Sequence, residues 1–454
     1  MRRFVFPILC LMAACVPSTE NEVPGRNAPT AMALPPMKTF TTQRGGGVNR
    51  PNSQIAQDFL DLTFQMESGR QLPWLTRFEG PIKVAVTGQA PASLEGDLAR
   101  LLARLRSEAG IDISRARSGE TAQIIVEAIP RKTLQKAVPQ AACFVVPNVS
   151  GWSEFKRNRG NGKTDWTRLS NRTKATVIIP NDVSPQEVRD CLHEEISQAL
   201  GPLNDLYRLP DSIFNDDNFH TILTGFDMLI LRAYYSPQLK NGMTRGQAAR
   251  ALPGLLSRLN PRGNRTTNVG ANRTPKQWND AITSALAIRT SQSQRASQAA
   301  KAVQIAQSQG WKDNRLAFSL FVQGRVSLAS KPETAISAFV QSGNIYRQLY
   351  GASVHSAHVN TQMAAFALSS GKLDVAIRLT DESIPAARNS SNAALLATLM
   401  MIKAEALQAA GRGEEARRVR LDSLGWGRYG FGSERNVRAR LNEIKALAPR
   451  RVRS

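Results

Sequence analysis

Three breaks recur at a near-constant spacing in the second half of the chain: Ser330-Lys331-Pro332-Glu333-Thr334-Ala335, Gly371-Lys372-Leu373-Asp374-Val375-Ala376 and Gly411-Arg412-Gly413-Glu414-Glu415-Ala416. Ala335, Ala376 and Ala416 lie 41 and 40 residues apart, each just after a turn and an acidic helix start. Such a period is the signature of stacked helical hairpins, because one hairpin cannot bury its apolar face alone while a stack builds a continuous core. Residues 279–448 are therefore expected to form an all-α helical-repeat solenoid, with Ala335, Ala376 and Ala416 as its small packing residues. The helix from Ser433 to Ala448, with Val437, Leu441 and Ile444 in line, should cap it, and 449–454 form a basic tail.

The segment from Gly351 to Arg378, with His355, Ala357, Asn360, Ala364, Gly371 and Ala376, resembles the long tetratricopeptide repeat of kinesin light chains. That resemblance implies a protein partner held by the repeats. The glycine-rich string Gly425-Trp426-Gly427-Arg428-Tyr429-Gly430-Phe431-Gly432 has no strand before it, so it reads as a packed solenoid turn and not as a phosphate loop.

Residues 56–250 alternate between strand and helix signals. Pro81–Val86, Ala122–Glu127, Ala142–Val146 and Lys174–Ile179 read as strands, and Ser93–Ala109 reads as a helix with Leu94, Leu98, Leu101, Leu102 and Leu105 on one face. A further helix should start after Ser184-Pro185, where serine caps and proline suits the first turn, and run to Gly201. The excursion Lys156–Lys163, flanked by Trp152 and Trp166, reads as a solvated basic loop or a contact loop for an anionic partner. Residues 251–278 read as a basic linker, since Lys240, Arg245, Arg250, Arg258, Arg262, Arg265, Arg273 and Lys276 occur there or nearby with no acid among them.

At the N-terminus, Arg2 and Arg3 precede an apolar run from Phe4 to Ala14 that is too short to span a bilayer. Leu11-Met12-Ala13-Ala14-Cys15 resembles the lipobox of bacterial lipoproteins, which implies a signal peptide over 1–14 and lipidation of Cys15. Residues 15–55, rich in Pro, Thr, Asn and Gly, are expected to be a disordered tether. Export leaves Cys143 and Cys191 as a pair in an oxidising compartment. A disulfide between them would constrain the unfolded chain by about 4 kcal/mol. The expected location is the cell envelope, facing the periplasm, and Val16 after the lipidated cysteine favours the outer membrane.

The string Glu194-Glu195-x-x-Gln198-x-x-Gly201-x-x-Asn204 has the spacing of the metzincin zinc motif, in which two ligands four apart share a helix face and a glycine turns the chain back towards a third. By that spacing Glu194, Gln198 and Asn204 take the metal-ligand positions and Glu195 the general-base position, with His193, Asp205 and His220 as further candidates. Together with Phe226-Asp227-Met228-Leu229, Arg232, Tyr235, Pro237 and Gly242-Met243, the string resembles a proteobacterial lipoprotein family carrying domain of unknown function 2927. That resemblance implies a zincin-like α/β fold and no established activity, with Met228 or Met243 in the place of the methionine under a metzincin metal. Amide oxygens are poor zinc ligands, and the residue four beyond His193 is Ser197, so the imidazole pair cannot form.

The net charge of +23 concerns partners more than fold. In an exported chain it favours anionic glycan or lipid, and no nucleic-acid recognition motif accompanies it. The expectation is a membrane-anchored scaffold or adaptor acting through its repeats. The alternatives are a metallohydrolase of envelope protein or peptidoglycan peptide with Glu195 as base, and a charge-driven binder of anionic glycan or lipid.

Overall fold

Short apolar runs separated by helical periods build the first half around one sheet. In the computed structural model, strands β1 (Ile82–Gly88), β2 (Ile113–Arg115), β3 (Ile124–Ile129), β4 (Phe144–Pro147) and β5 (Ala175–Pro180) form a five-stranded sheet in the order β2-β1-β3-β5-β4. The pairings are parallel except at the edge, where β4 runs antiparallel to β5 with Val145 opposite Val177. Every residue of β5 is buried, which is why it reads as a continuous apolar run without alternation. The structure describes residues 33–41, 46–139, 141–265, 273–287 and 290–449. The expected signal peptide, Cys15 and most of the basic tail lie outside them. From Pro35 onward the chain forms one compact unit.

Helices α1 (Asn52–Thr63), α2 (Leu94–Ala109), α3 (Arg131–Ala137), α4 (Trp152–Asn158), α5 (Pro185–Leu200), α6 (Gly225–Tyr234) and α7 (Arg245–Leu259) complete this half. The leucine face of α2 is buried against the sheet, and α5 packs beside it. The Ser184 hydroxyl caps α5 by accepting from the Glu187 N–H at 3.1 Å. Its other end stops at Gly201, where a Cβ would lie 2.9 Å from the Tyr234 ring, so only glycine fits. Position 250, expected as the end of this half, falls inside α7, whose Ala248, Leu252, Leu255 and Leu256 belong to the same core.

The second half is helical throughout: α8 (Lys276–Leu286), α9 (Gln292–Ser308), α10 (Asn314–Ser327), α11 (Pro332–Tyr350), α12 (Val354–Ser369), α13 (Leu373–Asn389), α14 (Ala393–Ala409), α15 (Gly413–Phe431) and α16 (Glu434–Leu447). The three sequence breaks are the starts of α11, α13 and α15, and Ala335, Ala376 and Ala416 are each fully buried. The glycine string expected as a turn is instead part of α15. Its glycines admit close neighbours: at Gly430 a Cβ would sit 2.6 Å from the Ala394 backbone, and at Gly425 3.2 Å from the Pro36 carbonyl. Of the segment expected as a tether, residues 35–41 run along α15, with Phe40 stacked on Trp426 at 4.6 Å and the Lys38 N–H donating to the Gly425 carbonyl. Residue 52 of the same segment begins α1. Among the described residues no helix is long and apolar enough to cross a membrane.

Among the described residues two joints between the halves bear on the site, beside the Tyr429 hydroxyl of α15 that donates to the Asp97 carboxylate of α2. The tongue formed by residues 202–224, between α5 and α6, enters the helical half. There Phe219 meets the rings of Phe318, Phe321, Tyr346 and His358 at 5.7, 5.4, 5.9 and 4.6 Å. Tyr207 of the tongue packs edge-on to Trp278, and its carbonyl accepts from Asn314 Nδ2 at 2.6 Å. The second joint is the start of α5, where Gln186 bonds the Asn392 side chain and the Ala394 N–H, and Arg189 Nη1 donates to the Ser391 carbonyl at 2.8 Å. Ser391 holds a left-handed φ of 53° to present that carbonyl.

Candidate functional site

The helix α5 has two working faces because residues three and four apart share a side. One carries Cys191, Glu194 and Glu195 and looks towards β4. The other carries Gln186, Arg189 and His193 and looks towards the helical half.

On the first face Cys191 is joined to Cys143 in a disulfide, with Cα atoms 6.0 Å apart. The Cys143 sulfur and one carboxylate oxygen each of Glu194 and Glu195 lie within 4.8 Å of one another. Glu195 is 4% exposed, and among the described residues its Oε2 has no hydrogen-bond partner. Burial pushes the Glu195 carboxyl well above the usual range, and the neighbouring Glu194 and Glu67 push it further. Burial, with Glu67, Asp216 and Asp190 nearby, raises Glu194 to about 8. Asp205 is raised by burial and by a Glu67 carboxyl that also hydrogen-bonds it, and Asp216 is raised to about 6 by burial and Glu67. Five carboxyl groups thus gather at the root of the tongue, and among the described residues no Lys or Arg pairs with any of them. Burial and like charge hold Glu194, Glu195 and Asp205 towards the protonated form.

On the second face the His193 imidazole accepts from the Leu223 N–H through Nδ1 at 3.1 Å. Burial, and then Arg189, Arg104 and Arg100, hold its pKa well below the ordinary value. It is therefore a neutral acceptor among cations, a setting that opposes metal binding. Asn204 turns its amide nitrogen to the Asp61 carbonyl at 2.9 Å. The backbone carbonyl of Gln198 accepts from the buried guanidinium of Arg172, which also binds the carbonyls of Ala199 and Gly201. The expected ligand set is thus divided. Glu194, Glu195 and Asp205 come together with Glu67 and Asp216, which the sequence did not single out, while His193 and Asn204 face elsewhere. Met228 and Met243 pack in or against the apolar core.

His220 lies in a different place, lining a cavity of about 620 Å³ between the two halves. Arg50, Arg104, His355 and the N-terminal caps of α6 and α12, Thr224 and Ser353, also line it. The His355 ring is 3% exposed and packs 5.0 Å from Tyr350 and 5.4 Å from His220. The basic excursion starts within α4 and keeps Lys156, Arg157 and Arg159 exposed; at its end Lys163 pairs with Glu154, and the flanking Trp152 and Trp166 are buried.

A domain described as Protein of unknown function (DUF2927) covers residues 52–254, from the first residue of α1 into α7. No curated protein matches the chain. Among solved structures the chain is similar to one titled "Crystal structure of BtubC (BKLC) from P. vanneervenii", at 15% identity and a TM-score of 0.28. That likeness covers 51% of this chain and 77% of the other, and at this score it carries no argument.

Proposed function

We propose that the chain is a lipid-anchored envelope adaptor whose helical repeats hold a protein partner and whose zincin-like DUF2927 domain works without peptidase chemistry. The observation that carries this reading is the use of α5. Its ligand positions diverge, with Asn204 bonded to the Asp61 carbonyl and the nearby imidazole of His193 bonded to the Leu223 N–H. Its start is committed to the joint with Asn392, Ala394 and Ser391. A helix that fastens two halves of a protein is spent on architecture.

The mixed five-stranded sheet, with α2 following β1 and the motif helix α5 following β5, supports the zincin-like description. Buried Ala335, Ala376 and Ala416 at the starts of successive helix pairs support the tetratricopeptide-like one. The apolar run before Leu11–Cys15 supports the anchor. Because the tongue fills one end of the helical half, the partner's seat is the groove of about 410 Å³ between α12, α14 and α16, where Gln362, Phe366, Ile402 and Arg440 are found. A photo-cross-linking residue placed at Gln362 should capture one discrete envelope protein, and the same residue at exposed Arg378 should not. Identical background patterns from both positions would refute the adaptor reading.

A second reading, binding of an anionic glycan or lipid headgroup, is favoured by the cavity between the halves. Two helix N-termini converge there with Arg50 and Arg104, whose pairs with Asp58, Asp211 and Glu108 an incoming anion would compete for. It is tested by titrating the chain with an acidic glycan fragment. Binding should vanish at moderate salt and on Arg104→Glu.

A further inference from the structure

The Cys143, Glu194 and Glu195 group has no part in the adaptor reading, yet its chemistry is specific. We propose that opening the Cys143–Cys191 disulfide creates a zinc site from the thiolates of Cys143 and Cys191 and the carboxylates of Glu194 and Glu195. Three observations converge on it. The Cys143 sulfur and an oxygen of each glutamate already lie within 4.8 Å of one another. Cys191 stands three and four residues before the glutamates, on the same side of α5, and its sulfur is bonded to that of Cys143. Glu195 Oε2 is buried without any hydrogen-bond partner among the described residues, an acceptor left waiting for a donor or a cation.

In the closed form both sulfurs are spent in the S–S bond, so the group offers zinc carboxylates without thiolates. The ligand atoms of a tetrahedral zinc with sulfur and oxygen donors lie roughly 3.3–3.8 Å apart, so the present spacing needs a closure of about an ångström, within reach of side-chain rotation. Cys143 and Glu194 are partly exposed, which leaves a path for reductant and ion. The reductant is a dithiol. Its thiolate attacks one sulfur of the disulfide, and its second thiol resolves the mixed disulfide. The dithiol is thereby oxidised to its own disulfide, and Cys143 and Cys191 receive the two electrons and two protons. Zinc then displaces the thiol protons as it binds. Paired thiolates select zinc over the harder cations that carboxylates alone would favour. Exchange with a disulfide oxidant, which takes up the two electrons and is reduced to its dithiol, re-forms Cys143–Cys191 and expels the ion, so metal occupancy reports the redox state.

The test titrates the full chain, air-oxidised or treated with a dithiol, with Co²⁺ as an optical stand-in and Zn²⁺ as competitor. The reduced chain should bind one equivalent with sulfur-to-cobalt charge-transfer absorption and strong tetrahedral visible bands. The oxidised chain should bind on the order of 100-fold more weakly. Replacing both Cys143 and Cys191 by serine should abolish the charge-transfer band although Cys10 and Cys15 remain, Cys143→Ser alone should weaken it, and Glu195→Gln should keep the band while weakening binding about tenfold. Far-ultraviolet dichroism follows the fold throughout. A reduced chain that unfolds, that takes up no cobalt, or that binds as tightly once both glutamates are glutamine would overturn the proposal. So would equal binding by the oxidised form.

Discussion

At the scale of single residues, one buried cation and two buried titratable groups explain much of how α5 and the tongue are held. Among the described residues Arg172 has no carboxylate partner; its guanidinium lies against the carbonyls that end α5, over the Trp166 ring at 4.8 Å. A cation at a helix C-terminus is favoured by the aligned peptide dipoles, and its loss would leave buried carbonyls unmet. We predict that Arg172→Met destabilises the chain by about 3 kcal/mol, read as a lowered urea midpoint at unchanged slope. Asp217 in the tongue is pushed up to about 8 by burial, against hydrogen bonds from the Phe219 N–H and Asn215. A raised carboxyl contributes stability that is fully present below its ordinary value of 3.8 and is lost as pH rises through about 8. His358, lowered to about 3 by burial and by the nearby Arg325 and His220, acts in the other sense: its stability is present above 6.5 and lost as pH falls towards 3. Between pH 6.5 and 8 the raised carboxyls govern the change, Asp217 together with Glu194, Glu195 and Asp205, all with the same sign. The urea midpoint should therefore drop across that window, and Asp217→Asn should flatten the drop.

At the scale of elements, β1, β3, β4, β5, α2 and α5 start within two residues of where apolar runs, leucine spacing and the Ser184-Pro185 cap place them. Those signals are local, and local signals are legible in one sequence. The strand β2 has three residues and too little pattern to read, and α7 was hidden because its polar and basic face resembles a linker while its apolar face is narrow. The glycines of α15 misled for a different reason. Glycine is a turn signal by its backbone freedom, but Gly425 and Gly430 are there because a neighbouring backbone comes too close for a side chain. Gly430→Ala should push α15 off the start of α14 and cost about 1–3 kcal/mol, measured by the same urea titration. The candidate site was half legible for a related reason. Helix spacing placed Glu194 and Glu195 on one face with Cys191, while Glu67 and Asp216 reach it through long-range chain paths that carry no local signature.

At the scale of the whole molecule, the tongue makes the two halves one cooperative body. Removing the Phe219 ring from its aromatic seat should cost about 3–5 kcal/mol. Calorimetry of Phe219→Ala should show two separated transitions where the natural chain shows one, and protease should cut first within residues 202–224. The central claim is that α5 fastens these halves together and does not cleave peptide bonds. It is tested most directly by supplying zinc and an unstructured protein substrate to the air-oxidised chain and its Glu195→Gln variant and following new amino termini. We expect none from either protein; zinc-dependent cleavage by the natural chain, absent from the variant, would contradict the claim.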